Sequence, residues 1–177
     1  YNTNFRLTKT ISDIVKELQI KIVYISTDQI YDSDMGYSKE NSVIRTPNYY
    51  SLTKYNAEKY IKKNNKNYWI LRSSFFGWGS RYKNTLVDFI YSKLKKKQNI
   101  FLWKNIYFNP LYVSEIIDIS IKIVNHRTGI YNLGTKTRLT KLKFGLLLCK
   151  KLKLNSKYIH EVNYSDFSVT RPKDMSV

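Results

Sequence analysis

The 177-residue chain reads as an α/β protein built on a doubly wound parallel sheet. Three observations predict this class. Ile20–Ile25 and Tyr68–Arg72 are short runs rich in apolar, β-branched and aromatic residues, the kind that parallel sheets bury on both faces. A stretch of helical character precedes each of them, Asn4–Leu18 before the first and Ser51–Lys63 before the second. Thr27 follows the first run directly, at the strand end where open α/β sheets bind their ligands.

In the first helix Leu7, Ile11, Ile14, Val15 and Leu18 recur at helical spacing. Residues 32–48 carry Asp, Ser, Gly, Asn and Pro without period and form a loop able to close over a ligand. The second helix ends in the Lys and Asn run at 62–66, and Tyr68–Arg72 is the next strand. Arg72 reads as half of a structural ion pair, and Phe75–Gly79 as the loop at that strand's carboxyl end. Leu86, Phe89, Ile90 and Leu94 make the core stripe of a helix whose end is Lys95–Lys97. Ile100–Trp103 and Ile106–Phe108 are short strands around a turn. Ser114 is a candidate N-cap for a helix through Val124, with Glu115 adding a favourable charge in its first turn. Gly129 breaks the pattern before the strand Ile130–Leu133, and Thr140 caps a last helix reaching Leu152.

Composition narrows the function classes. One cysteine, Cys149, rules out an internal disulfide framework and fits a reducing, cytoplasmic setting. No apolar run approaches the roughly 20 residues of a membrane span. The formal charge of +18, with sixteen tyrosines among the lysines, invites a nucleic-acid reading. The lysines are spread along the whole length, however, beside abundant Asn and Ile, so the expectation is a solvated basic surface without a nucleic-acid site. His126 and His160 have no partners at metal-ligand spacing, and no metal site is expected.

The chemistry concentrates in Ser26-Thr27-Asp28 and in Asn48-Tyr49-Tyr50-Ser51-Leu52-Thr53-Lys54. On one helix the i, i+4 spacing puts the Tyr50 phenol and the Lys54 ammonium on the same face. A fixed cation favours phenolate, so Tyr50 is a candidate general acid or base, with the Thr27 hydroxyl bonding the same substrate oxygen. The motif alone is weak, since Tyr55 to Lys59 repeats it.

Order and context strengthen it. Ser26-Thr27-Asp28, then Pro47-Asn48 before the Tyr, then Arg72-Ser73-Ser74-Phe75-Phe76-Gly77 resemble the extended short-chain dehydrogenase/reductases, closest to the dTDP-4-dehydrorhamnose reductases. Asn109-Pro110-Leu111-Tyr112-Val113, Gly129-Ile130-Tyr131-Asn132-Leu133-Gly134 and Arg171-Pro172-Lys173-Asp174 extend the resemblance over essentially the whole chain.

The resemblance implies a partial Rossmann-like sheet in residues 1–80, bearing the catalytic Thr and Tyr-x-x-x-Lys. Residues 81–177 would be a smaller, mainly substrate-binding α/β part that can return to the sheet. It implies reduction of a nucleotide-linked 4-keto sugar by NADPH or NADH, in deoxysugar and cell-surface polysaccharide biosynthesis. Sugar-nucleotide epimerisation and a non-catalytic binding or regulatory role stay open, as does pairing of two copies. Gln29 after Asp28 disfavours dehydration, which uses a titrating Glu there. By the same resemblance Thr27, Tyr50 and Lys54 are catalytic. Lys54, Tyr50, Ser26, Phe75, Phe76 and Gly77 would hold the cofactor, and Thr27, Asp28, Asn109 and Arg171 the substrate. Asn4 stands where that family often has an Asn near the active site, and equally suits a helix end. None of the six glycines forms a Gly-rich pyrophosphate-binding turn, so the chain is expected to lack the N-terminal half of the nucleotide-binding fold.

Overall fold

The computed structural model describes residues 2–31, 35–166 and 172–177. A π-helical turn, Asn2–Leu7, leads into α1 (Thr8–Glu17), followed by β1 (Ile22–Ile25) and a 3₁₀ turn at Asp28–Ile30. Then come α2 (Tyr49–Asn64), β2 (Tyr68–Ser73), β3 (Phe75–Phe76), α3 (Leu86–Lys95), β4 (Ile100–Trp103) and β5 (Tyr107–Phe108). β6 (Leu111–Tyr112), α4 (Val113–Lys122), β7 (Gly129–Leu133), β8 (Leu139–Thr140), α5 (Lys141–Leu152) and β9 (Ile159–Val162) complete the order.

The central sheet is parallel, in the order β1-β2-β7, with Ile25 opposite Leu71 and Leu71 opposite Tyr131. Strand alternation sends successive β2 side chains to opposite faces. Ile70 packs with Val15 of α1 and Ile61 of α2, whereas Trp69 and Leu71 pack with Ile123 at the end of α4. That is the doubly wound arrangement the apolar runs predict, and β7 is a return of the second half of the chain to the first. The α1 stripe differs from expectation: Val15 is buried, but Leu7, Ile11, Ile14 and Leu18 are exposed, because α1 meets its neighbours through the narrower face that also carries Ser12.

The second lobe closes around Ile90, Leu94, Ile100, Leu102, Phe108, Phe144 and Cys149. Ile90 and Leu94 of the expected α3 stripe are buried and Leu86 packs against the same core, while Phe89 is 40% exposed and Val87 is buried in its place. β4 and β5 do not form a hairpin. β4 pairs in parallel with β9, from Ile100 opposite Ile159 to Trp103 opposite Val162, and β5 pairs antiparallel with β8. The long-range partner wins because a turn between two short strands says nothing about which edges bury more apolar surface.

Capping explains most helix starts. Asn48 and Ser51 form a reciprocal capping box at α2, Thr85 and Asp88 another at α3, and Thr140 accepts from the Lys143 N–H at α5. Ser114 is not the cap of α4. That helix begins one residue earlier, and the Glu115 carboxylate accepts from the Tyr112 N–H at 2.8 Å.

Candidate active site

The end of β1 and the first turns of α2 build the site. Thr27 leaves the strand extended and caps the 3₁₀ turn, its hydroxyl accepting from the Gln29 N–H at 3.2 Å and donating weakly to the Asp28 carboxylate at 3.4 Å. The Asn48 cap sets the azimuth of α2 so that Tyr50 lies beside Thr27, near enough for the Thr27 hydroxyl to act on the phenol. Tyr49, one residue earlier, is 63% exposed and turns elsewhere, as expected for a 100° step. Partial burial raises the Tyr50 pKa; the Thr27 contact opposes that shift and the Asp28 charge adds to it.

Lys54 lies one helical turn further on. Its ammonium donates to the Ile25 carbonyl at 2.6 Å and sits 4.3 Å from the Tyr24 ring centroid. Burial lowers its pKa to about 8, against the opposing field of Glu58. The expected direct action of Lys54 on Tyr50 is therefore corrected: its nitrogen is held by the strand end, and the groups that shift the phenol are Thr27 and Asp28. All three side chains nevertheless meet at the carboxyl end of β1, within the span Ile25–Asp28.

Asp28 is buried, one of its carboxylate oxygens has no hydrogen-bond partner, and the hydroxyl oxygen of Ser74 is likewise buried without one. Desolvation raises its pKa to about 6, opposed chiefly by the nearby Ser74 hydroxyl and by the charge of Lys141. It faces the interior beside Thr27 rather than an open cleft.

Two residues expected to touch ligand are committed elsewhere. The Ser26 hydroxyl donates to the Glu58 carboxylate in the interior. The Asn109 amide is buried, donating to the carbonyls of Thr135 (3.0 Å) and Val177 (2.7 Å) and accepting from the Val177 N–H. Both correct the sequence reading for the same reason: each polar atom already has a protein partner. Phe75 is half-exposed, Phe76 stacks edge-on with Tyr112 and Phe144, and Gly77 is buried where a Cβ would come 2.8 Å from Val113. Arg171 lies outside the described residues. Asn4 donates to Thr53 on α2 at 3.3 Å, a contact between elements that neither of its two readings, an active-site Asn or a polar helix end, included.

Sequence reasoning missed the network beneath the site. Arg72 makes three bonds to the Glu58 carboxylate, the shortest 2.6 Å, with both side chains 2% exposed. It also donates to the Tyr31 hydroxyl at 2.6 Å and to the Glu40 carbonyl at 3.2 Å. The Tyr31 hydroxyl donates to the Asn132 side-chain oxygen at 2.9 Å, and the backbone and side-chain N–H groups of Asn132 donate to the Glu40 carboxylate and the Ser38 carbonyl. The ion pair expected at Arg72 is thus present, and the loop expected to close over a ligand is pinned at 38–40. Glu58 was findable, since it stands four residues after Lys54 on the same face of α2.

Comparison with known proteins places this geometry. Methionine adenosyltransferase 2 subunit beta of Xenopus tropicalis is 22% identical over 151 residues, which cover 80% of this chain and 45% of that protein. The structure superposes on dTDP-4-dehydrorhamnose reductase of Bacillus anthracis in complex with NADP with a TM-score of 0.87, at 22% identity, over 98% of this chain and 62% of that one. For dTDP-glucose 4,6-dehydratase of the same organism in complex with NAD, the TM-score is 0.80 at 23% identity, over 100% and 59%. The chain thus spans less than two thirds of the length of each of these relatives, and its fold is the Rossmann-like α/β fold of the reductases and dehydratases. The family model for the RmlD substrate binding domain matches residues 1–176, and the chain belongs to that family.

Proposed function

We propose that this chain carries the proton-transfer and substrate-binding portion of an NAD(P)H-dependent reductase acting on a nucleotide-linked 4-keto sugar. The observation that carries the reading is the gathering of Thr27, Tyr50 and Lys54 at the carboxyl end of β1, with Lys54 anchored on the Ile25 carbonyl and Tyr50 near enough to Thr27 to be acted on by its hydroxyl. A keto oxygen between the two hydroxyls would accept a hydrogen bond from each. Thr27 is suited to this because its own proton is held only loosely, 3.4 Å from Asp28, while its lone pair is occupied by Gln29. As negative charge develops on that oxygen, Tyr50 gives up its proton and Thr27 stabilises the remainder.

The nicotinamide cofactor supplies the hydride. Among this chain's residues the fit is to its nicotinamide end only: Lys54, Tyr50 and the loop at 75–77 stand at that strand end, and Gly77 keeps the backbone close to Val113. To meet a ribose hydroxyl, Lys54 exchanges the Ile25 carbonyl for it. No Gly-rich turn is present in the sequence for the pyrophosphate. An aromatic cavity of about 300 Å³, lined by Leu86, Phe89, Phe101, Leu102, Trp103 and Lys141, suits a nucleotide base with its phosphates toward the lysine. Lys141 also lies within electrostatic reach of Asp28, beside Thr27.

The test is a chimera joining the cofactor-binding half of a reductase relative to this chain. Turnover of a dTDP-4-keto sugar with NADPH or NADH, lost in Tyr50→Phe, supports the reading. A chimera that binds both ligands without turnover favours a non-catalytic role, the second reading suggested by the resemblance to a methionine adenosyltransferase beta subunit.

A further inference from the structure

The lysines that look dispersed in the sequence are gathered by the fold. Lys93, Lys95, Lys96 and Lys97 occupy the last turn of α3 and the link into β4. Lys150, Lys151, Lys153 and Lys157 occupy the last turn of α5 and the link into β9. Because β4 and β9 are parallel and start in register at Ile100 and Ile159, both links lie at the same end of the second lobe. A contact of 3.0 Å between His160 and Asn99 joins the two directly. All eight lysines are exposed, and none has an ion-pair partner among the described residues.

Helix capping does not account for this charge. Each helix end presents roughly half a negative charge, so two of them offset about one of the eight. Attraction of substrate to the reacting end of the site, at Thr27 and Asp28, does not account for it either. The cation that acts on Asp28 is Lys141, at the opposite end of α5, and that helix of 12 residues is about 18 Å long.

We propose that this basic pole docks the protein on an anionic lipid bilayer surface. The lysines stand on two adjoining links and the helix turns leading into them, at one end of the lobe, so a broad anionic surface can meet both groups. A nucleic-acid strand would call for a charged track flanked by open stacking rings and for arginine forks, whereas the rings beside this cluster are already engaged, Tyr91 under Lys95, Tyr158 under Lys157 and Phe101 against His160, and its cations are all lysine. Lysine is a point charge that suits a diffuse field of lipid headgroups. No helix among the described residues is long and apolar enough to cross a membrane, and the proposed attachment is a peripheral, electrostatic one.

The test is sedimentation of the 177-residue chain with vesicles of phosphatidylcholine containing one third phosphatidylserine, against pure phosphatidylcholine, at about 0.1 M salt. Binding to the anionic vesicles alone, released by raising the salt, is expected. Each lysine brought to an anionic leaflet strengthens binding about fivefold. The quadruple change of Lys93, Lys96, Lys150 and Lys151 to Gln therefore weakens it by about 25-fold if two of the four meet the leaflet and by up to about 600-fold if all do. The same charge removed from the end of α2, by changing Lys59, Lys62, Lys63 and Lys66 to Gln, leaves most of it. No binding to anionic vesicles, or an equal loss in both quadruple variants, overturns the proposal. So does tighter, pole-dependent binding of a single-stranded oligonucleotide in fluorescence anisotropy under the same conditions.

Discussion

Replacing Asp28 with Asn should stabilise the fold above pH 6 even though it removes a group from the heart of the candidate site. Asp28 is 1% exposed, and desolvation lifts its pKa from 3.8 to about 6. A carboxyl whose folded pKa is raised binds more protons folded than unfolded, so stability falls as pH rises from about 4 to about 6 and levels off above that. With 1.36 kcal/mol per unit, the shift corresponds to about 3 kcal/mol lost at pH 7.5. Asn is nearly isosteric. Its oxygen can keep the weak contact from Thr27, and its NH₂ can donate to the Ser74 hydroxyl, which has no partner now. Urea denaturation at pH 4.5, 6 and 7.5 would read the effect: Asp28→Asn gains little at the lowest pH and up to about 3 kcal/mol at the highest. A variant less stable than the parent at pH 7.5, or one that keeps the parent's slope between pH 4 and 6, would refute the assignment of that cost to Asp28. The same variant should lower the Tyr50 pKa, because the Asp28 charge is one cause of its rise.

Glu58→Gln leaves the Arg72 guanidinium buried without its counter-charge and should cost about 3–5 kcal/mol, read by thermal or urea unfolding; pairing it with Arg72→Met should recover most of that. Gly36→Ala should lower stability, because Gly36 has φ +69° and a Cβ there would run into the Asp174 carboxylate, which also pairs with Arg138. In the chimera, Tyr50→Phe should cut turnover by about 10² to 10⁴ with substrate affinity nearly unchanged, as measured by steady-state kinetics and calorimetry. The 177-residue chain alone should bind NADH and NADPH poorly, since its residues reach only the nicotinamide end; saturable fluorescence titration at micromolar cofactor would contradict this. Lys54, with its pKa lowered to about 8, should react with an amine-directed reagent at pH 8 ahead of the chain's other lysines, as mapped by mass spectrometry.

The sequence by itself determined the elements whose signals are local. β1 and β2 are apolar runs, α2 and α5 start at side chains able to cap them, and Thr27, Tyr50 and Lys54 meet because a strand end and one helix face leave them little choice. Only the tertiary structure decided what depends on distant partners. Ser26 and Asn109 carry side chains suited to a ligand, but Glu58 and the backbone of Thr135 and Val177 take up their hydrogen bonds first. Lys54 turns to the Ile25 carbonyl instead of the phenol, a preference set by atoms 29 residues away. β4 chose β9 over its neighbour β5, and that pairing brought the lysines of 93–97 beside those of 150–157. Spacing along a chain records the period of one element and the chemistry of its side chains, whereas burial and pairing follow from which surfaces meet, and those surfaces lie on segments that no local pattern connects.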